Sequence, residues 1–164
     1  MSETHYRTFE ELTVWTEARR LRREIYALTK QLPTDEKHVL VPQLRRAALS
    51  VTNNIAEGHG RYHYQENIQF LRLARGSLEE VLDDLTLCED QGYVTPDRAQ
   101  SLRQQVVRVE QLINGYIRYL RAQKSAAVHE SPSEYLATAG SPISGHESRI
   151  SDLGSRITDH QSPR

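Results

Sequence analysis

Apolar residues recur along the first three-quarters of the chain at alternating steps of three and four, the spacing that lines one face of an α-helix. The first stripe is Val14, Ala18, Leu21, Ile25, Leu28 and Leu32. Thr8-Phe9-Glu10-Glu11 before it reads as a capping box, in which the Thr hydroxyl and the Glu side chain satisfy otherwise unpaired amides. Leu32-Pro33 stops this helix, since proline disfavours a helical residue before it, and Thr34 is placed to cap the next, with Asp35 and Glu36 in its first turn.

The second stripe is Leu40, Leu44, Ala47, Val51 and Ile55, with Ala48 beside it, and it runs to about Gly58. Pro42 fits this helix only if the first turn begins near it or the helix is kinked. After Gly58-His59-Gly60-Arg61 a third helix is predicted over about 64–91, on Leu71, Ala74, Leu78, Val81, Leu85 and Cys88. Gly92 ends it, and Thr95-Pro96-Asp97 opens a fourth with a capping hydroxyl followed by proline at the first helical position. Ala99, Leu102, Val106, Val109, Ile113, Tyr116 and Leu120 complete that stripe.

Four stripes of similar length joined by short loops leave water only by packing on one another. The expected fold class is therefore all-α, an antiparallel up-down-up-down four-helix bundle over 9–123. Residues 124–164 turn to Ser, Gly, Pro and His with too few apolar groups to offset the entropy of ordering them, and a disordered or weakly structured polar tail is expected there. Within it Ser148-Arg149-Ile150-Ser151-Asp152-Leu153 is echoed by Ser155-Arg156-Ile157-Thr158-Asp159-His160, which reads as a docking segment or as a weakly biased tail.

Charge is unevenly spread behind a formal net charge of −1. Residues 1–75 carry 12 bases against 9 acids, residues 76–97 no base against 7 acids, and residues 98–124 6 bases against 1 acid, so the overall balance describes no single face. The single cysteine, Cys88, rules out an intramolecular disulfide and is expected as a buried, inert thiol. Met1 to Arg7 lacks the apolar run of a signal peptide and no apolar stretch reaches membrane-spanning length, so no membrane association and a cytoplasmic location are expected.

Beside the core stripes lie second seams. On helix one, Trp15, Arg19, Arg22 and Tyr26 recur at helical spacing, with Arg23 and Lys30 nearby. That mixture suits an oligomer interface, a nucleic-acid surface in which Arg holds phosphate and rings stack on bases, or a core edge fringed by solvated arginines. On helix two, Gln43, Arg46, Ser50, Asn53 or Asn54, and Glu57 form a polar seam. It reads either as a polar or RNA-contacting interface or as a structural hydrogen-bond network that includes an Arg46 ion pair.

No catalytic residue, cofactor or metal is expected. A di-iron bundle needs Glu-x-x-His pairs, and only Asp35-x-x-His38 comes near that spacing, while Glu57, His59 and His63 gather on a turn. There is no Gly-x-Ser-x-Gly elbow, and Gly58-x-Gly60 follows no strand.

The run Gln43-Leu44-Arg45-Arg46-Ala47-Ala48-Leu49-Ser50-Val51-Thr52-Asn53-Asn54-Ile55-Ala56-Glu57-Gly58, followed by Arg61, resembles the signature of the bacterial four-helix-bundle proteins first noticed in intervening sequences of large-subunit ribosomal RNA genes. Val14-Trp15, Ile25-Tyr26, Leu32-Pro33, Phe70-Leu71 and Gly76-Ser77-Leu78-Glu79-Glu80 are similar to other parts of that family's pattern. Thr52 stands where the family commonly has proline, and Pro42 and the serine-rich tail also depart from it.

The resemblance implies a protomer of a homopentamer. It also implies kinship to the accessory variability determinants of diversity-generating retroelements, which bind a reverse transcriptase and nucleic acid through a basic barrel. On that footing RNA or DNA would be held by Arg19, Arg22, Arg23, Lys30, Arg45, Arg46 and Arg61, and subunits would meet through Trp15, Tyr26, Ser50, Asn54 and Glu57. The expected function is a non-catalytic homo-oligomer binding RNA or a ribonucleoprotein partner such as a reverse transcriptase. The alternative is a protein–protein scaffold with no direct nucleic-acid role.

Overall fold

The computed structural model describes residues 8–61 and 63–129, with side chains as far as Ser125. Four helices follow one another: α1 (Thr13–Thr29), α2 (Leu40–His59), α3 (Tyr64–Asp90) and α4 (Pro96–His129). Each packs on the next and α4 closes back on α1, so α1 and α3 occupy opposite corners of an antiparallel bundle. The predicted stripes meet along its axis, where Leu21, Ile25, Leu44, Ile55, Leu71, Leu85, Leu102 and Ile113 are almost wholly removed from water. Cys88 is buried among them, and loss of hydration, then the charges of Asp84 and Glu36, push its thiol up to about 11, which suits an inert core residue.

Three boundaries differ from the sequence reading. The capping box at Thr8 does not form: Phe9–Glu11 is a 3-10 turn closed by the Glu11 amide on the Thr8 carbonyl at 3.2 Å, and α1 starts one turn later from Leu12. Likewise Thr34–His38 is a 3-10 turn and not the start of α2. A helix running from Thr34 through Pro42 would lack the proline's amide and press its ring on the carbonyl four residues back. The chain instead breaks at Val39 (φ −115°, ψ −81°), and α2 restarts at Leu40 with Pro42 in its first turn. At the other end, α4 continues past residue 123 to His129. Ala126 and Ala127 favour helix locally, a preference that a count of core-forming residues does not register. The repeat at 148–160 lies outside the described residues.

Two junctions match their chemistry. Gly92 adopts φ 70°, which lets the Tyr93 amide reach the Cys88 carbonyl at 2.8 Å and closes α3. The Thr95 hydroxyl accepts from the Arg98 amide at 3.3 Å and starts α4. Within α4 the stripe steps from Ile113 to Ile117, so Ile117 is buried and Tyr116 is turned to the bundle's rim, partly covered.

Candidate nucleic-acid interface

The helix-one seam divides by which neighbour each side chain meets. Arg22 donates from Nη1 to the Thr52 hydroxyl on α2 at 2.7 Å, and Thr52 in turn donates to the Leu49 carbonyl at 2.9 Å. The hydroxyl at position 52 is thus the acceptor that fixes Arg22, a role proline cannot fill. Arg45 donates from Nε to the Thr29 hydroxyl at 2.8 Å and covers the Tyr26 ring at 5.3 Å. Arg22 and Arg45 therefore tie α1 to α2. Trp15 meets the edge of Phe9 at 5.1 Å, and the Arg19 guanidinium lies 5.7 Å over its ring. Arg19 and Arg23 on α1 and Lys30 just past its end are exposed.

The helix-two polar seam lies mostly against α3. Gln43 donates to the Asp84 carboxylate at 2.6 Å, Ser77 donates to the Ser50 hydroxyl at 2.8 Å, and the Asn54 amide donates to the Ser50 carbonyl at 2.9 Å. Arg61 pairs with Glu57 and sits 4.7 Å over Phe70, while Arg46 and Asn53 are exposed. Gly58 closes the seam, since a Cβ there would fall 2.9 Å from both the Asn67 Oδ1 and the Phe70 Cβ.

Asp84 is the seam's costly member. It is 2% exposed, and its Oδ2 has no hydrogen-bond partner among the described residues. Burial drives its pKa from 3.8 to about 6; the Gln43 hydrogen bond and Arg46 oppose the rise, and Asp83 and Glu80 add to it.

Sequence reasoning missed the contribution of α4. Arg108, Arg118 and Arg121 are exposed on it, while its one acid beyond the first turn, Glu110, pairs with Arg75 at 3.6 Å. On α1, Glu24 is held by Arg98 of α4 at 2.5 Å, and Glu17 lies 3.9 Å from Arg20. Exposed arginines thus stand on the outer faces of α1 and α4, and the acid between the two helices, Glu24, is engaged by Arg98. Two concavities follow this wall, one of about 220 Å³ among Thr16, Arg19, Arg20 and Arg23, the other of about 470 Å³ among Arg20, Arg23, Glu24 and Ala27.

The opposite corner carries the other sign: Glu79, Glu80, Asp83 and Asp90 are exposed on α3. The 6:1 excess of bases over 98–124 was the available signal for α4. It needed the pairing of helices to become a face.

Among the described residues no group of three His, Cys, Asp or Glu side chains is placed to hold a metal ion, and no helix is long and apolar enough to cross a membrane. The family model of the 23S rRNA-intervening sequence protein matches residues 10–115, which takes in α1, α2, α3 and more than half of α4. The chain belongs to this family. Among solved structures it is similar to a protein of unknown function from the S23 ribosomal protein family of Bacteroides thetaiotaomicron, at 23% identity and a TM-score of 0.60 over 64% of this chain and 98% of that one. That likeness carries the family's bundle fold to this chain. A comparison with curated proteins gives no match.

Proposed function

We propose that this member of the family is a non-catalytic, homo-oligomeric, cytoplasmic RNA-binding bundle that holds RNA on its α1–α4 wall. The observation that carries the reading is the wall's charge: Arg19 and Arg23 on α1, Lys30 just past its end and Arg108 on α4 are exposed, whereas Glu24 between the two helices is engaged by Arg98. The antiparallel register, set by Glu24 against Arg98, brings Arg108 opposite the Thr16–Arg20 turn. From Thr16 to Lys30 the face extends about 21 Å at 1.5 Å per residue, a row of cations suited to successive phosphates. Membership of the 23S rRNA-intervening sequence protein family is in keeping with RNA as the polyanion. In this reading an RNA-handling enzyme such as a reverse transcriptase is the protein partner, with the bundle holding its template.

Self-association is assigned to α3. Leu73 and Leu87 are 57% and 43% exposed on either side of Glu80 and Asp83, and nothing stands within 4 Å of a Cβ at Gly76 between them. The same surface favours the second reading, a protein–protein scaffold that uses no nucleic acid.

Fluorescence anisotropy with labelled RNA across a salt series separates the two. Neutralising about three phosphates gives a log–log slope near −2 to −3 by counterion release. Absence of binding at low salt would overturn the RNA reading and leave the scaffold.

A further inference from the structure

The basic wall ends in an apolar pocket that α1–α4 packing does not fill. Leu12, Val14, Leu112, Gly115, Tyr116 and Tyr119 surround about 330 Å³ open to solvent, the size of a small-ligand site. One turn of α1, from Thr13 to Thr16, separates it from the concavity that Arg19, Arg20 and Arg23 line.

Its two rings have different duties. Tyr116 is anchored: its hydroxyl accepts from the Asn67 amide at 3.4 Å and lies 3.5 Å from His59 Nδ1. Tyr119 runs nearly parallel to it, centroids 6.3 Å apart and planes at 20°, yet is 57% exposed. Gly115 keeps the space beside the rings open, since a Cβ there would meet only the Arg118 guanidinium at 3.8 Å. An aromatic face, an open apolar slot and an adjacent guanidinium thus stand at the end of a row of arginines.

We infer that this pocket takes an unpaired nucleobase of single-stranded RNA, stacked on Tyr119, while the flanking phosphates lie on Arg118 and on the Arg19–Arg20–Arg23 face. The assignment rests on the RNA reading above and narrows its substrate class. A duplex offers phosphates to the wall but keeps its bases stacked, so it engages the arginines and leaves the slot empty. An unpaired strand uses both, because every base has a π-face and its backbone can turn the base inward. Charge argues for this occupant over an apolar peptide side chain: the Arg118 guanidinium stands at the pocket's edge, 3.8 Å from the Cβ position of Gly115, where it complements the phosphate of a base seated in the slot.

The test uses the full chain, a labelled single-stranded RNA of about 12 nucleotides, within the range one site occupies, and a blunt RNA duplex of the same length. Tyr119→Ala is expected to weaken single-strand binding about 5- to 150-fold, the span that follows from removing one stacking ring, with no change in salt slope and none in duplex binding. Tyr119→Phe should retain the wild-type affinity. Gly115→Leu, which fills the slot, should reproduce the alanine loss, with helicity by circular dichroism unchanged in every variant.

Wild-type single-strand affinity in both Tyr119→Ala and Gly115→Leu, alongside weakening by Arg23→Gln, would overturn the base pocket while sparing the wall. Equal losses for duplex and single strand would also overturn it. Failure of the wild type to bind either RNA at low salt would remove both readings.

Discussion

Gly58→Leu is expected to destabilise the bundle by about 3 kcal/mol, the upper end of what overpacking a close contact costs, seen as a lower denaturant midpoint at unchanged m-value. The cause is local and steric. The Cβ of any larger residue at position 58 would lie 2.9 Å from the Phe70 Cβ and the Asn67 Oδ1, and the Phe70 atom sits too near its own backbone to swing aside. Relief requires α2 and α3 to part at this end of their interface, against the Ser50–Ser77 hydrogen bond two turns back along α2. Gly60→Leu is the control. A Cβ there meets nothing nearer than the Glu57 carbonyl at 3.5 Å, so a change within about 0.5 kcal/mol is expected, as for ordinary surface sites. Equal effects at the two glycines would mean that helix propensity, not the α2–α3 approach, sets the cost.

Stability is expected to fall as pH rises through the range that titrates Asp84. Its folded pKa, about 6, lies above the ordinary 3.8, so between these values the native state binds more protons than the unfolded chain. The cost of the buried carboxylate is absent below about pH 4 and complete above about pH 6 to 7, and at 1.36 kcal/mol per pKa unit it amounts to about 3 kcal/mol. Asp84→Asn keeps an oxygen to accept from Gln43 and removes the charge, so its unfolding free energy should lack this slope between pH 4 and 7. A slope equal to the wild type's would show that other groups carry the pH dependence.

Core positions were legible in the sequence because the stripes have helical period, and burial selects for little else. Leu21, Ile25, Leu44, Leu71 and Leu85 all stand where the spacing put them. Boundaries were less legible where two local signals competed. Thr8 and Thr34 both look like caps, but each is followed by a turn too short for an α-helix, and Pro42 decides where α2 can begin.

The residue types of a candidate site were legible in the sequence, and their contacts were not. Arginine beside aromatic residues on α1 marked a candidate basic surface, yet the contacts of those arginines depend on partners along the chain: Arg22 meets Thr52 and Arg45 meets Thr29, while Arg61 pairs with nearby Glu57 and stays exposed. Ser50 of the second seam is likewise spent on an α2–α3 contact with Ser77, and Asn54 on Ser50 within α2. Arg108 and Tyr119 carried no linear signal linking them to Arg19 and Arg23. Only the return of α4 along α1 unites them.

The most direct test of the wall is the salt slope of RNA binding in the triple variant Arg19→Gln, Arg23→Gln, Arg108→Gln beside the wild type. The expected result is a lower affinity and a slope shallower by about 2, since each lost single-strand phosphate contact removes about 0.7, with the unfolding midpoint unchanged. A slope equal to that of the wild type would contradict the assignment of RNA to the α1–α4 face.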